Sequence, residues 1–135
     1  MGKKVSSQAE TPAAAKILVV DDEPTILETV DRLLTKRGYR VETTKSGTEA
    51  VEWVTLGHDY AVILLDLYMP YKAGKATYEE IVGLRPDFAP RIIFITGDAA
   101  TPDTQVFLGR IGARYIAKPF NLDELVAAIQ AVLKR

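Results

Sequence analysis

Cysteine is absent from the chain and histidine occurs once, as His58. These two scarcities exclude disulfides, thiolate nucleophiles and cysteine-held metal or iron–sulfur centres, and a lone imidazole cannot build a zinc site of ordinary composition. Neither sign of charge dominates. Seventeen basic and eighteen acidic side chains leave a net charge of −1, so the basic footprint of non-specific duplex binding is missing and no direct nucleic-acid contact is expected. The longest apolar run, residues 60–65, falls far short of the roughly 20 residues of a membrane span. No charged-then-apolar leader opens the chain, and the expected location is the cytoplasm, with no membrane partner.

What is present is the composition of an ordinary globular protein, 47% hydrophobic and 26% charged over 135 residues, which suits one domain with a real core. Residues 1–15 are polar or small, contain Pro12 and show no apolar period; they are expected to form a flexible arm or linker, leaving residues 16–135 as the domain. Met1-Gly2 with Ser6 fits an N-myristoylation pattern so short that it reads as a chance match.

From Lys16 onward, short apolar runs alternate with segments of helical period. Strands are expected over residues 17–20, 40–44, 60–65, 91–95 and 115–117. The first helix follows Pro24, sets Ile26, Leu27, Val30, Leu33 and Leu34 on one face and stops at Gly38. A second begins near Ser46 with Ala50, Val51 and Val54 inward, a third covers residues 74–84, and a fourth runs from Thr101-Pro102 to about Gly112. The last opens on Asn121 with Glu124 three residues on, close to a capping box. A strict βα alternation predicts an α/β fold, a doubly wound five-stranded parallel sheet flanked by five helices. Ligands of such sheets bind at the carboxyl ends of the strands.

Those ends carry chemistry: Asp21 and Asp22 after strand one, Asp66 after strand three, Thr96 after strand four and Lys118 after strand five. Two like charges about 4 Å apart repel by ~4 kcal/mol at an effective dielectric near 20, so three acids together call for a cation or a proton. Oxygen-only donors favour Mg²⁺, with Mn²⁺ as the alternative. An acid, a metal, a hydroxyl and a lysine around one point suit phosphoryl transfer: Asp66 as nucleophile, Lys118 and the metal against the phosphoryl oxygens, Thr96 donating to one of them.

The segments Val19-Val20-Asp21-Asp22-Glu23-Pro24, Leu64-Leu65-Asp66-Leu67-Tyr68-Met69-Pro70 with Gly74 four residues on, Ile95-Thr96-Gly97-Asp98 and Lys118-Pro119-Phe120 occur in order. Their spacing resembles that of response-regulator receiver domains over residues 16–135. The resemblance implies a flavodoxin-like sheet of order 2-1-3-4-5, a cis peptide before Pro119, and phosphoryl transfer from a histidine kinase or histidine phosphotransfer protein to Asp66. It further implies Mg²⁺ held by Asp21, Asp22, Asp66 and the Tyr68 backbone carbonyl, Thr96 and Tyr115 as switch residues, and a downstream protein partner. Tyr68 and Asp98 are expected to tune the phosphoryl lifetime, with the bulk of Tyr68 as a shield. On this reading the domain is not an enzyme but a self-phosphorylating signalling module that slowly loses its phosphate and carries no output enzyme of its own. The stretch Tyr71-Lys72-Ala73 departs from the family's usual small or polar loop, and residues 91–98 resemble receivers at the C-terminus of hybrid histidine kinases.

Two rivals share these residues. A phosphatase of the haloacid dehalogenase type would need a second acid two residues after its nucleophile, where Tyr68 stands, and a phenol with a pKa near 10 is a poor base at neutral pH. A degenerate receiver would serve only for docking, and the intact Asp66, Thr96 and Lys118 speak against it. No phosphate-binding loop or dinucleotide fingerprint is present, so free nucleotide is not the expected phosphodonor. Trp53 is read as a partly buried packing residue, His58 as a solvated loop residue, and Phe107, Leu108 and Ile111 as core or helix-four interface.

Overall fold

The computed structural model describes residues 15–69, 73–97 and 101–134. Five strands, β1 (Lys16–Val20), β2 (Arg40–Thr44), β3 (Val62–Asp66), β4 (Ile92–Thr96) and β5 (Arg114–Ala117), alternate with helices α1 (Pro24–Lys36), α2 (Gly47–Thr55), α3 (Gly74–Leu84), α4 (Pro102–Ile111) and α5 (Leu122–Leu133). The strands form one parallel sheet in the order β2-β1-β3-β4-β5. This is the doubly wound arrangement and strand order expected from the sequence.

The three inner strands are apolar at nearly every position because helices cover both faces. Successive side chains enter opposite cores. Ile17, Val19, Val62, Leu64, Ile93 and Ile95 meet Leu27, Val30 and Leu34 of α1 and Leu125, Ile129 and Val132 of α5. Their neighbours Leu18, Val20, Ile63, Leu65, Ile92 and Phe94 meet Ala50 and Val54 of α2, Ile81 of α3, and Phe107 and Leu108 of α4. Full burial of one such aliphatic side chain stabilises by ~1.5–3 kcal/mol, so each face of the sheet fixes its helices independently.

Local signals set the helix ends. Pro24 occupies the first turn of α1, and Gly38 takes φ 95° just beyond it, a conformation that other residues adopt only with strain. The Ser46 side chain accepts the Glu49 amide at the start of α2. Both halves of the Asn121–Glu124 capping box are made at the start of α5.

Four details differ from the sequence reading. Strands β3 and β4 run slightly later than their apolar runs: pairing starts at Ile17↔Val62 and Ile63↔Ile92. Tyr60 is buried but lies outside the ladder and donates its hydroxyl to Glu42 Oε1 at 2.7 Å. Arg91 belongs instead to a 3₁₀ turn, Pro86–Arg91, whose buried Phe88 has the guanidinium carbons of Arg85 and Arg91 at 4.5 and 4.8 Å from its ring centre. Asp66 and Thr96 therefore close their strands instead of opening loops. His58 is half-buried, its ring stacked 6.3 Å from those of Trp53 and Tyr60. Leu33 is only half-buried, whereas Trp53, Phe107, Leu108 and Ile111 pack as expected.

The amino ends of the strands are fastened by Arg91 to Asp59 at 3.1 Å, Arg85 to Asp87 at 2.9 Å and Lys16 to Glu42 at 2.9 Å. Leu56, at the end of α2, is 74% exposed, and Val106, on α4, is 68% exposed. No helix among the described residues is long and apolar enough to cross a membrane. Of the expected arm only Ala15 is described, its carbonyl accepting the Arg40 amide at 3.0 Å; residues 1–14 lie outside the described residues.

Candidate functional site

The carboxyl end of β1 continues into Asp21, whose amide donates to the Thr44 carbonyl at 3.1 Å. That bond extends the β1–β2 pairing by one residue and fixes a fully buried acid. Asp21 Oδ1 accepts the Glu23 amide at 2.9 Å. Its Oδ2 is buried without an aligned hydrogen bond, and its ionic partner is the Lys118 ammonium at 3.1 Å. One strand over, Asp66 ends β3 in register with Ile95 and accepts the Tyr68 amide on Oδ1 at 3.2 Å. Asp21, Asp22 and Asp66 each present a carboxylate oxygen within 4.8 Å of the others.

Lys118 arrives from the end of β5. Its amide donates to the Thr96 carbonyl at 2.8 Å, and a cis peptide joins it to Pro119, as the resemblance implies. Its ammonium lies 2.6 Å from Glu23 Oε1, 3.1 Å from Asp21 Oδ2 and 3.6 Å from Asp66 Oδ2. Glu23 is thus part of the site although the sequence reading gave it no role. The signal was its place directly after the acidic pair.

Burial, reinforced by the Asp21 charge and outweighing Lys118, pushes the Asp66 carboxyl up to about 7. Burial also raises Asp21, against the Glu23 amide and the Lys118 charge. For Lys118, burial works against the ammonium, yet its bonds to Glu23 and Asp21 and the charges around it hold its pKa above the ordinary lysine value. One ammonium does not neutralise this many acids. Oxygen-only donors, mutually close and including a buried carboxylate oxygen with no aligned hydrogen bond, fit a hard divalent cation of the Mg²⁺ type.

Thr96 is buried at the end of β4, in register with Ala117. Tyr115 lies beside Phe94 on the same face of the sheet, but is 44% exposed. Tyr68 is 49% exposed, and its hydroxyl is hydrogen-bonded to Thr104 Oγ1 in the first turn of α4, a partner the sequence did not suggest. Asp98, Tyr71 and Lys72 lie outside the described residues. Gly74 opens α3 with its amide donating to the Leu67 carbonyl at 2.8 Å. A Cβ at this position would stand 2.2 Å from the Asp66 carbonyl oxygen.

The described chain superposes on solved receiver domains. One, a CheY-like response regulator receiver domain protein from Methanospirillum hungatei, has a TM-score of 0.80 and 30% identity, over 90% of this chain and 94% of that one. Another, the receiver domain of sensor histidine kinase PA1611 from Pseudomonas aeruginosa with a magnesium ion coordinated in its active-site cleft, has a TM-score of 0.80 and 29% identity, over 90% and 99%. In sequence, the transcriptional regulatory protein DltR of Streptococcus agalactiae is 34% identical over 117 residues, 85% of this chain and 50% of that protein. The chain thus spans about half the length of the curated relatives it matches. The family model described as the response regulator receiver domain matches residues 17–130, and with the parallel sheet and the acidic cluster at its strand ends already in place, the chain belongs to the response regulator receiver domain family.

Proposed function

We propose that this receiver takes a phosphoryl group onto Asp66 from the phosphohistidine of a histidine kinase or phosphotransfer protein. The observation that carries the reading is the convergence of Asp21, Asp22 and Lys118 on one buried carboxylate at the end of the central strand. An Asp66 oxygen attacks phosphorus, the P–N bond breaks, and its electron pair returns to the imidazole nitrogen, which takes up a proton. Lys118 neutralises a phosphoryl oxygen, and the Thr96 hydroxyl donates to another. Asp21, Asp22, Asp66 and the Tyr68 carbonyl are the residues that would hold Mg²⁺ or Mn²⁺. Such an ion supplies charge compensation for both the carboxylates and the incoming phosphate. The ion in the Pseudomonas receiver supports this assignment.

The output is a change in what the surface of α4, β5 and α5 binds, a cytoplasmic signal read by a downstream protein. Thr96 and Tyr115 share the sheet face on which α4 packs, so a Thr96 hydroxyl drawn toward phosphate opens space for the Tyr115 ring. A partner that prefers one arrangement then shifts the equilibrium by its differential affinity. The phosphatase alternative would need an acid where the Tyr68 phenol bonds Thr104.

An acyl phosphate with Mg²⁺ should add one phosphoryl mass to the protein, with the label lost in Asp66→Asn and in excess EDTA. Equal labelling of Asp66→Asn would refute the assignment, and undiminished labelling in EDTA would remove the metal from it. Beryllofluoride should shift the NMR signals of Tyr115 and of residues 102–111. Shifts confined to the loops around Asp66 would sink the switch while leaving phosphorylation intact.

A further inference from the structure

Tyr68 touches both ends of the proposed signal. Its amide donates to Asp66 Oδ1 at 3.2 Å, and its phenol hydroxyl is hydrogen-bonded to Thr104 Oγ1. Thr104 is 2% exposed while Tyr68 is 49% exposed, so an otherwise open ring is tied at its tip to a buried anchor. That anchor is itself engaged: the Thr101 hydroxyl donates to Thr104 Oγ1 at 2.8 Å, joining the segment before α4 to its first turn. A tyrosine placed only to cover the acceptor would not need its hydroxyl on a helix of another crossover.

We propose that Tyr68 is a mechanical tie between Asp66 and the first turn of α4, so that a change at the acceptor carboxylate reaches that helix through one residue, in parallel with Thr96 and Tyr115. This rests on the phosphoacceptor reading for its biological meaning, but its physics does not require phosphate. A group added to Asp66 changes what its Oδ1 offers the Tyr68 amide; the backbone of Tyr68 responds, and the ring carries the displacement to Thr104. The bond also explains the choice of tyrosine over phenylalanine at this position: the apolar ring spans the gap and the hydroxyl makes the attachment. The tie gives this side chain a role beside that of a shield.

Hydrogen exchange on the whole metal-free chain tests it, with amides of α5 as the internal reference for global opening. Tyr68→Phe removes only the hydroxyl, and Thr104→Val keeps the shape of its partner. Tyr68→Phe should speed exchange over residues 105–111 about fivefold relative to α5, the effect of losing one net hydrogen bond, and Thr104→Val, which also gives up the bond from Thr101, by at least as much. The double variant should exchange no faster than Thr104→Val alone. Asp66→Ala, which deletes the acceptor of the Tyr68 amide, should alter α4 exchange in the wild-type background and leave it unaltered in Tyr68→Phe. Unchanged α4 exchange in Tyr68→Phe, additive effects of the two substitutions, or an equal response to Asp66→Ala in both backgrounds would each overturn the tie. A wild-type protein that takes no label from an acyl phosphate would sink the phosphoacceptor reading alone, since the exchange cycle uses no phosphate.

Discussion

In metal-free buffer at pH 8, Asp66→Asn should unfold at a temperature on the order of 10 °C above the wild type. The reason is the buried acid at the end of β3, pushed up to about 7 by burial and by the Asp21 charge. A carboxyl whose folded pKa exceeds its unfolded value binds its proton more tightly in the folded state. Stability therefore falls as pH rises from about 4 to about 7, and above that the ionised acid costs a constant amount. Three pK units correspond to ~4 kcal/mol, and roughly 2 to 4 kcal/mol is the expected gain for asparagine, which cannot ionise. Lys118 keeps Asp21 and Glu23 as partners in the variant. The difference should close below pH 4, where both side chains are neutral, and should narrow in saturating Mg²⁺, since an ion held at the proposed site would stabilise the wild type by mass action. Calorimetry from pH 4 to 8 with and without Mg²⁺ measures all three. A wild type as stable as Asp66→Asn at pH 8 without metal would mean that the acid cluster is not under electrostatic strain.

The second large effect is expected where no side chain exists. A Cβ on Gly74 would meet the Asp66 carbonyl oxygen at 2.2 Å, the Leu67 Cα at 2.7 Å and the Asp66 carbonyl carbon at 3.0 Å. All three are backbone atoms of the segment that carries Asp66. No rotamer change relieves such a contact, so either the first turn of α3 lifts or the Asp66–Leu67 peptide moves, and the bond from the Gly74 amide to the Leu67 carbonyl breaks. Gly74→Ala should cost roughly 3 kcal/mol in urea denaturation and should slow acyl-phosphate labelling by displacing Asp66. Gly83→Ala, in the same helix with open space around it, should instead stabilise by ~0.5–1 kcal/mol. If the two substitutions behaved alike, the steric account of Gly74 would fail.

Much of this was legible in the residues. The strands and helix ends follow from periodicity, Pro24, Gly38, Ser46 and the Asn121–Glu124 pair, because those signals act within one turn or one strand, whereas the strand order came from the family resemblance. The strand-end acids were legible because a parallel sheet gathers every carboxyl end on one side. What local signals do not encode is pairing across the chain. Tyr60 reads as part of β3 by composition, yet its hydroxyl is drawn to Glu42 on the sheet edge, and the ladder starts two residues later. His58 reads as solvated until its turn places it between Trp53 and Tyr60. Glu23 meets Lys118, and Tyr68 meets Thr104, only after the crossovers are complete. In each case a polar residue was assigned by its neighbours in sequence and recruited by its neighbours in space.

The exposed Leu56 and Val106 have a practical meaning in a chain with no native thiol. Leu56→Cys and Val106→Cys would each create a single labelling handle, and together they would take a donor and acceptor dye, or two spin labels. The first would sit at the fastened amino ends of the strands, about a strand's length, ~16 Å along the sheet, from the Asp66 end; the second would ride on α4. A ruler between a still point and the helix expected to move would read the proposed phosphorylation as a change of distance, one molecule at a time.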